Sequence, residues 1–173
     1  MKIEIHQDII GSILDIGGGG ECLIGQIFGN QVIAIDNTQE ELDEAPNCCD
    51  KRLMDARKLQ FPDNAFDNVT FFYSLMYMNS KVQRKALQEA IRVLKPGGIC
   101  YIWDTDIDSA YPNPFFVDLD IISDRISVHT SYGILKDEAQ NMDTILEFLN
   151  DFGLSSPYIE KNGTHFFITC EKL

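Results

Sequence analysis

The sequence has no C-x-x-C pair, no apolar run long enough to cross a bilayer, no internal repeat and no low-complexity tract. Basic residues are scarce: 14 lysines and arginines stand against 27 aspartates and glutamates, a formal net charge of −13. Each shortage excludes a class of function. A chain of that charge repels phosphate backbones and anionic lipid at long range, so neither a nucleic acid nor a membrane surface is an expected partner. A spanning helix needs about 20 consecutive apolar residues, and none is present. The opening MKIEIHQDII holds one lysine and a short, interrupted apolar pattern. It lacks the parts of a secretory signal, and the cytoplasm is the expected location.

Five cysteines, Cys22, Cys48, Cys49, Cys100 and Cys170, are an odd number without metal-ligand spacing. That argues against a disulfide framework and against a metal site, and leaves buried or idle thiols as the expectation. Neighbouring Cys48 and Cys49 are expected to face opposite ways rather than to close a strained vicinal disulfide. His6, His129 and His165 are far apart and match no Cys/His metal spacing, so each reads as an ordinary polar residue.

What is present is a chain of 173 residues, 45% hydrophobic and 24% charged. That suits one globular domain, residues 1–173, burying about 70% of the surface of its unfolded form. Short runs rich in Ile and Val recur at SILDIG (12–17), QVIAID (31–36), KRLMDA (51–56), NVTFFY (68–73) and GICYIWD (98–104). Such continuous hydrophobicity predicts parallel strands buried on both faces. Between them lies SKVQRKALQEAIRVL (80–94), with apolar residues at helical spacing, stopped by Lys95-Pro96-Gly97-Gly98. Strands alternating with helices predict βαβ units in a doubly wound α/β fold. A second helix follows from Met142, Ile145, Leu146, Leu149 and Phe152, ending at Gly153. PYIEK, the turn at 162–163 and THFFITCEKL then predict a hairpin adding antiparallel strands at the sheet edge.

The densest glycine cluster is in ILDIGGGGECLIG, residues 13–25. In an open α/β sheet the loop after the first strand lies at the carboxyl edge, beside the point where strand order reverses, and ligands bind there. The second strand ends at Asp36, on the neighbouring tip, where a carboxylate accepts hydrogen bonds from two ribose hydroxyls. The third ends in Met54-Asp55-Ala56, suited to an adenine edge: the Asp55 carboxylate faces the amino group and the Ala56 N–H the ring. Gly17-x-Gly19-x-x-Cys22 also nearly matches the dinucleotide fingerprint, keeping an NAD-dependent oxidoreductase as an alternative.

In this order and spacing, ILDIGGGG together with AFDNVTFFYSLMYMNSKVQRKALQEAIRVLKPGG (65–98) resembles the class I S-adenosylmethionine-dependent methyltransferases. The resemblance covers roughly residues 11–104, and the closing helix and hairpin fit it. It implies a Rossmann-like, mostly parallel seven-stranded sheet with an antiparallel C-terminal hairpin strand. The implied cofactor is S-adenosylmethionine, and the implied partner a small-molecule methyl acceptor. By the same resemblance Asp15, Gly17, Gly18 and Gly19 surround the methionine end of the cofactor, Asp36 and Asn37 the ribose, and Asp55 and Ala56 the adenine, with Phe72 close to the ligand.

Two departures stand out. Glu21 occupies the family's third glycine position, with Gly20 the candidate to take over its turn. Tyr77 occupies a position often held by histidine, so no catalytic residue carries over. Only about ten residues precede the first strand, which predicts an open pocket or one closed by a second copy of the chain. Glu21, the short front and the lack of an obvious base keep a nucleoside-binding regulatory module without turnover as a further alternative.

The long connection at 105–140 is expected to form the substrate wall with Tyr77 and Met78, and to fold partly as a hairpin through FFVDLDI and RISVHTSYGIL. DTDID (104–108) fails the calcium-loop pattern, with Ser109 where glycine and Phe115 where glutamate is needed, and reads as a solvated acidic loop.

Overall fold

A computed structural model of the chain describes residues 1–5, 8–108 and 111–173. His6 and Ser109 lie outside the described residues. Five strands run parallel in one sheet: β2 (Ile13–Ile16), β3 (Val32–Asp36), β4 (Asp50–Leu53), β5 (Phe66–Phe72) and β6 (Leu94–Thr105). A hairpin of β9 (Tyr158–Asn162) and β10 (His165–Glu171) extends it, β10 pairing antiparallel to β6. The order β4-β3-β2-β5-β6-β10-β9 reverses direction between β2 and β5. The loops leaving those two strands therefore open a crevice at the carboxyl edge.

The strands run near the lengths read from the sequence, with two differences. The third ends at Leu53, so Met54-Asp55-Ala56 forms the loop beyond its tip. β6 starts at Leu94, directly after helix α3 (Ser80–Val93), and Lys95–Gly98 bulges out where the register slips against Phe66 and Asn68. A Cβ on Gly98 would meet the Asp67 carbonyl oxygen at 2.7 Å, so only glycine fits this close backbone approach. Asn79 caps α3, its side chain accepting from the Val82 N–H. At the other end Lys172 Nζ donates to the carbonyls of Ile91 and Leu94 at 2.7 and 2.6 Å, satisfying groups the helix leaves open.

Alternation along the strands divides the core in two. Leu14, Ile16, Val69, Phe71 and Ile102 face Leu87, Ala90 and Ile91 of α3 and Ile145 and Leu149 of α4 (Met142–Asn150). Ile13, Val32, Ala34, Phe72 and Trp103 face α1 (Leu23–Phe28) and a second sheet. Each such fully buried aliphatic or aromatic side chain contributes roughly 1.5–3 kcal/mol.

That second sheet, in the order β1-β7-β8, is built largely from the long connection. β7 (Phe115–Ile122) and β8 (Ser127–Ile134) form the expected hairpin, with Val117, Leu119 and Ile121 inward and Asp118 and Asp120 outward. Lys2–Glu4 adds a parallel strand, β1, to β7. The sequence gives little sign of β1, because three alternating residues carry too short a period to stand out. Helix α2 (Gln39–Glu44) links β3 to β4.

Candidate functional site

A cavity of about 870 Å3 lies at the carboxyl edge over the β2–β5 crevice. Small-molecule sites fall within roughly 300–1,000 Å3. Asp15, Gly17, Gly18, Gly19, Asp36, Asn37, Asp55, Ala56 and Phe72 all line it, as do Tyr77 and Met78.

The glycine loop is shaped by its neighbours. Gly17 (φ +75°) and Gly19 (φ +58°) hold left-handed backbone, and a Cβ on Gly17 would lie 2.6 Å from the Ser74 Cβ. Ser74 fixes that approach, its hydroxyl donating to the Ile16 carbonyl at 2.6 Å. Gly17→Ala is therefore expected to cost about 2 kcal/mol in urea unfolding, from positive φ and the clash together, and to weaken cofactor binding in parallel. An unchanged unfolding midpoint would show that the loop absorbs the methyl group. Gly18 and Gly20 keep ordinary backbone, so Gly20 does not take over the missing third turn; Cys22 does, at φ +47°.

Carboxylates hold the loop from outside. Asp36 Oδ2 accepts from the Gly19 N–H at 3.2 Å while its Oδ1 accepts from Thr38 N–H at 3.0 Å. Glu41 Oε2 accepts from the Gly20 N–H at 2.7 Å. Neither contact with the loop is foreshadowed by spacing, since both cross from another element.

Glu21 points away from the loop toward the second sheet, where the Tyr132 and Thr130 hydroxyls donate to its two carboxylate oxygens. Tyr132 also lines the cavity. The glutamate at the family's glycine position thus ties β8 over the site, and on this side the chain's own insertion supplies cover. Tyr132→Phe is expected to cost about 1 kcal/mol and to speed amide exchange along β8. Unaltered exchange there would mean that the tie does not hold the cover.

Asp15 is 2% exposed and accepts from the Thr70 hydroxyl at 2.7 Å. Burial pushes its carboxyl up to about 7, against the pull of that hydrogen bond. A buried carboxylate so destabilised favours a cationic ligand beside it. Asp55 is already gripped by Arg57, whose Nε and Nη2 reach it at 3.0 and 2.6 Å, an ion pair that holds its carboxyl below the usual range.

Two expectations need correction. Asp104 is fully buried, not solvated: it accepts from Gln140 Nε2 at 2.7 Å and from the Thr105 and Met76 N–H groups at 2.8 and 3.2 Å. Burial pushes it up to about 6 against those donors. Gln140 also accepts from Gln83 Nε2 at 2.6 Å, and Lys136 Nζ donates to the Met78 carbonyl at 2.6 Å. This network fixes the turn that presents Tyr77 and Met78. Asp106 is half-buried and paired with Lys161, leaving only Asp108 of the three fully exposed.

The second correction concerns Cys48 and Cys49, which do not face opposite ways. Both sulfurs turn toward Cys22, all three within 4.8 Å of one another. Of the histidines, His129 pairs with Asp120 on the surface, while His165 Nδ1 lies 2.8 Å from the hydroxyl of Tyr73, a cavity-lining residue.

Comparison with known proteins bears on the family and the fold. Residues 14–102 match the methyltransferase domain family. The chain is 36% identical over 138 residues to an uncharacterized methyltransferase of Schizosaccharomyces pombe, covering 68% of this chain and 49% of that protein. It is 35% identical over 104 residues to a ubiquinone/menaquinone biosynthesis C-methyltransferase of Desulfotalea psychrophila, covering 55% and 42%. The matches span about half the length of these curated relatives or less. Among solved structures, an S-adenosylmethionine-dependent methyltransferase of Methanosarcina mazei superposes with a TM-score of 0.66 at 18% identity, over 97% of this chain and 95% of that one. A possible histamine N-methyltransferase of Thermotoga maritima gives 0.68 at 14%, over 95% and 83%. At such identities the likeness is one of fold.

Proposed function

The chain belongs to the class I S-adenosylmethionine-dependent methyltransferases, and from that membership we propose that it transfers a methyl group to a small organic acceptor entering beside Tyr77 and Tyr132. The observation that carries this reading is the convergence of Asp15, the glycine loop, Asp36 and the Asp55-Ala56 loop on one cavity walled by aromatic side chains. The residues suit the cofactor: Gly17 and Gly19 hold a tight positive-φ turn at the cavity wall, Gly17 packed too close to Ser74 for a side chain, and Asp15 is a buried carboxylate in need of a positive charge.

When bound, S-adenosylmethionine supplies a methyl group activated on a positively charged sulfur. The chain's own residues hold and orient. Asp15 would draw the cationic methionine end to the glycine loop, Asp36 would accept from the ribose hydroxyls, the Ala56 N–H would donate to the adenine ring, and Phe72 would pack against the ligand. Tyr77, Met78 and Tyr132 align the acceptor and exclude water. Alignment at close range supplies most of what an in-line displacement requires, and a base is needed only where the acceptor must lose a proton. Glu21, Glu41 and Glu44 line the cavity together with Asp15, Asp36 and Asp55, and Arg57 beside them is already paired with Asp55, a sign of charge that disfavours a phosphate-bearing acceptor.

The test is S-adenosylhomocysteine formation with a panel of phenols, amines, thiols and quinols. Turnover with one class, lost in Asp36→Ala, supports the proposal. Saturable cofactor binding with no product above the spontaneous rate across the panel favours the nucleoside-binding regulatory reading instead.

A further inference from the structure

Cys22, at the head of α1, and Cys48 and Cys49, at the entrance to β4, meet beside the glycine loop although 26 residues separate Cys22 from Cys48. The sulfurs of Cys22 and Cys49 are 3.4 Å apart, and no pair is joined as a disulfide. The space they enclose is made by Gly25, one turn into α1. A Cβ there would lie 2.6 Å from the Cys22 sulfur, 2.7 Å from that of Cys49 and 3.1 Å from that of Cys48. The three sulfurs therefore surround one point rather than lying in a row.

We propose that Cys22, Cys48 and Cys49 form a three-thiolate site for a thiophilic metal ion, which we assign as zinc. A zinc ion at ~2.3 Å from each ligand holds its sulfurs about 3.8 Å apart in tetrahedral geometry, a spacing the trio reaches by small side-chain adjustments. The donor set is all sulfur, which selects soft or borderline ions over magnesium and calcium. Cys22 is buried while Cys48 and Cys49 are half-buried, so the fourth position opens toward solvent or an added ligand. Binding converts three thiols and one divalent cation into a complex of net charge −1 with release of three protons. Lys51 is poised beside it: its Nζ donates to the Leu42 and Ala45 carbonyls at 2.7 and 2.6 Å, closing the turn that delivers Cys48 and Cys49 and bringing a compensating charge.

The site has a structural consequence for the cavity. The Cys22 N–H donates to the Gly18 carbonyl at 3.0 Å, and β4 carries the Asp55-Ala56 loop at its far end. An ion bridging Cys22 to Cys48 and Cys49 joins the two segments proposed to hold opposite ends of the cofactor.

The experiment uses the full chain, reduced under anaerobic conditions, stripped with chelator and titrated with cobalt(II) and then zinc(II). The expected result is one equivalent of cobalt, with sulfur-to-cobalt charge-transfer absorption in the near ultraviolet, displaced by one equivalent of zinc. Cys48→Ser and Cys49→Ser are each expected to weaken zinc on the order of a hundredfold. Gly25→Ala is expected to weaken it without altering a ligand, whereas Cys170→Ala leaves it unchanged. Circular dichroism confirms folding of each variant, and the wild-type titration stands even where a variant fails to fold. Absence of the charge-transfer band in folded wild type overturns the assignment. So does undiminished zinc binding by folded Cys48→Ser and Cys49→Ser, or a Cys22–Cys49 disulfide found by mass spectrometry in the anaerobic protein.

Discussion

Asp36→Ala is expected to weaken S-adenosylmethionine binding by about a hundredfold while the sheet stays folded. Asp36 closes β3 beside the strand-order reversal, and its carboxylate has about four acceptor sites. The N–H groups of Gly19 and Thr38 use one on each oxygen, leaving one on each for a ribose hydroxyl. Hydrogen bonds to a charged group contribute roughly 1.5–3 kcal/mol each, so losing two reaches a hundredfold at the lower end. Asp36→Asn keeps an acceptor oxygen and should fall between, near tenfold. Calorimetric titration of the three proteins checks the order, and a full-strength Asp36→Ala would remove the ribose from this strand tip.

Asp15→Asn is expected to trade binding for stability. In the folded chain the Asp15 carboxyl is pushed up to about 7 by burial, against an ordinary value near 3.8 when unfolded. Between those values the folded chain keeps a proton the unfolded chain has released, so stability falls as pH rises through this window and the full penalty persists above it. About three units at 1.36 kcal/mol each make this loss on the order of 4 kcal/mol. Asp104, pushed up to about 6, adds a loss of the same sign that ends one unit earlier. Urea unfolding at steps from pH 4 to 8 separates the two. In Asp15→Asn the slope between pH 6 and 7 should flatten, the slope below 6 should fall by about half to the share that Asp104 supplies, and stability at pH 8 should exceed wild type. Binding of the cationic cofactor should weaken in the same variant. An unchanged slope between pH 6 and 7 would show that Asp15 is ionised in the fold at neutral pH.

The parts of this site that were legible in the sequence are those that follow a local period. Asp15, Gly17, Gly19, Asp36 and Phe72 sit at strand tips, and strand tips follow from short apolar runs and the glycines that end them. The parallel strands and the closing hairpin follow from the same short runs and turn residues, whereas the seven-stranded sheet is implied by the family resemblance. What escaped notice depends on long-range approach. Tyr132 meets Glu21 across 111 residues, and Gln140 meets Asp104 across 36, where neither partner marks the other in sequence. DTDID reads as solvated in sequence because alternation alone does not say which carboxylate has buried donors waiting. The cysteine trio was hidden for a similar reason: a pair of adjacent cysteines sends both side chains to one place only when the backbone between them turns, and Gly25 supplies the room.

The central claim is that the glycine loop and Asp36 hold S-adenosylmethionine at the β2–β5 crevice, and a crystal structure with S-adenosylhomocysteine tests it most directly. The account predicts the ribose hydroxyls within hydrogen-bonding distance of Asp36, the amino-acid end beside Asp15 and Gly17, and the adenine against Asp55 and Ala56. Ligand density at another site, or crystals that exclude the ligand at saturating concentration, would contradict it.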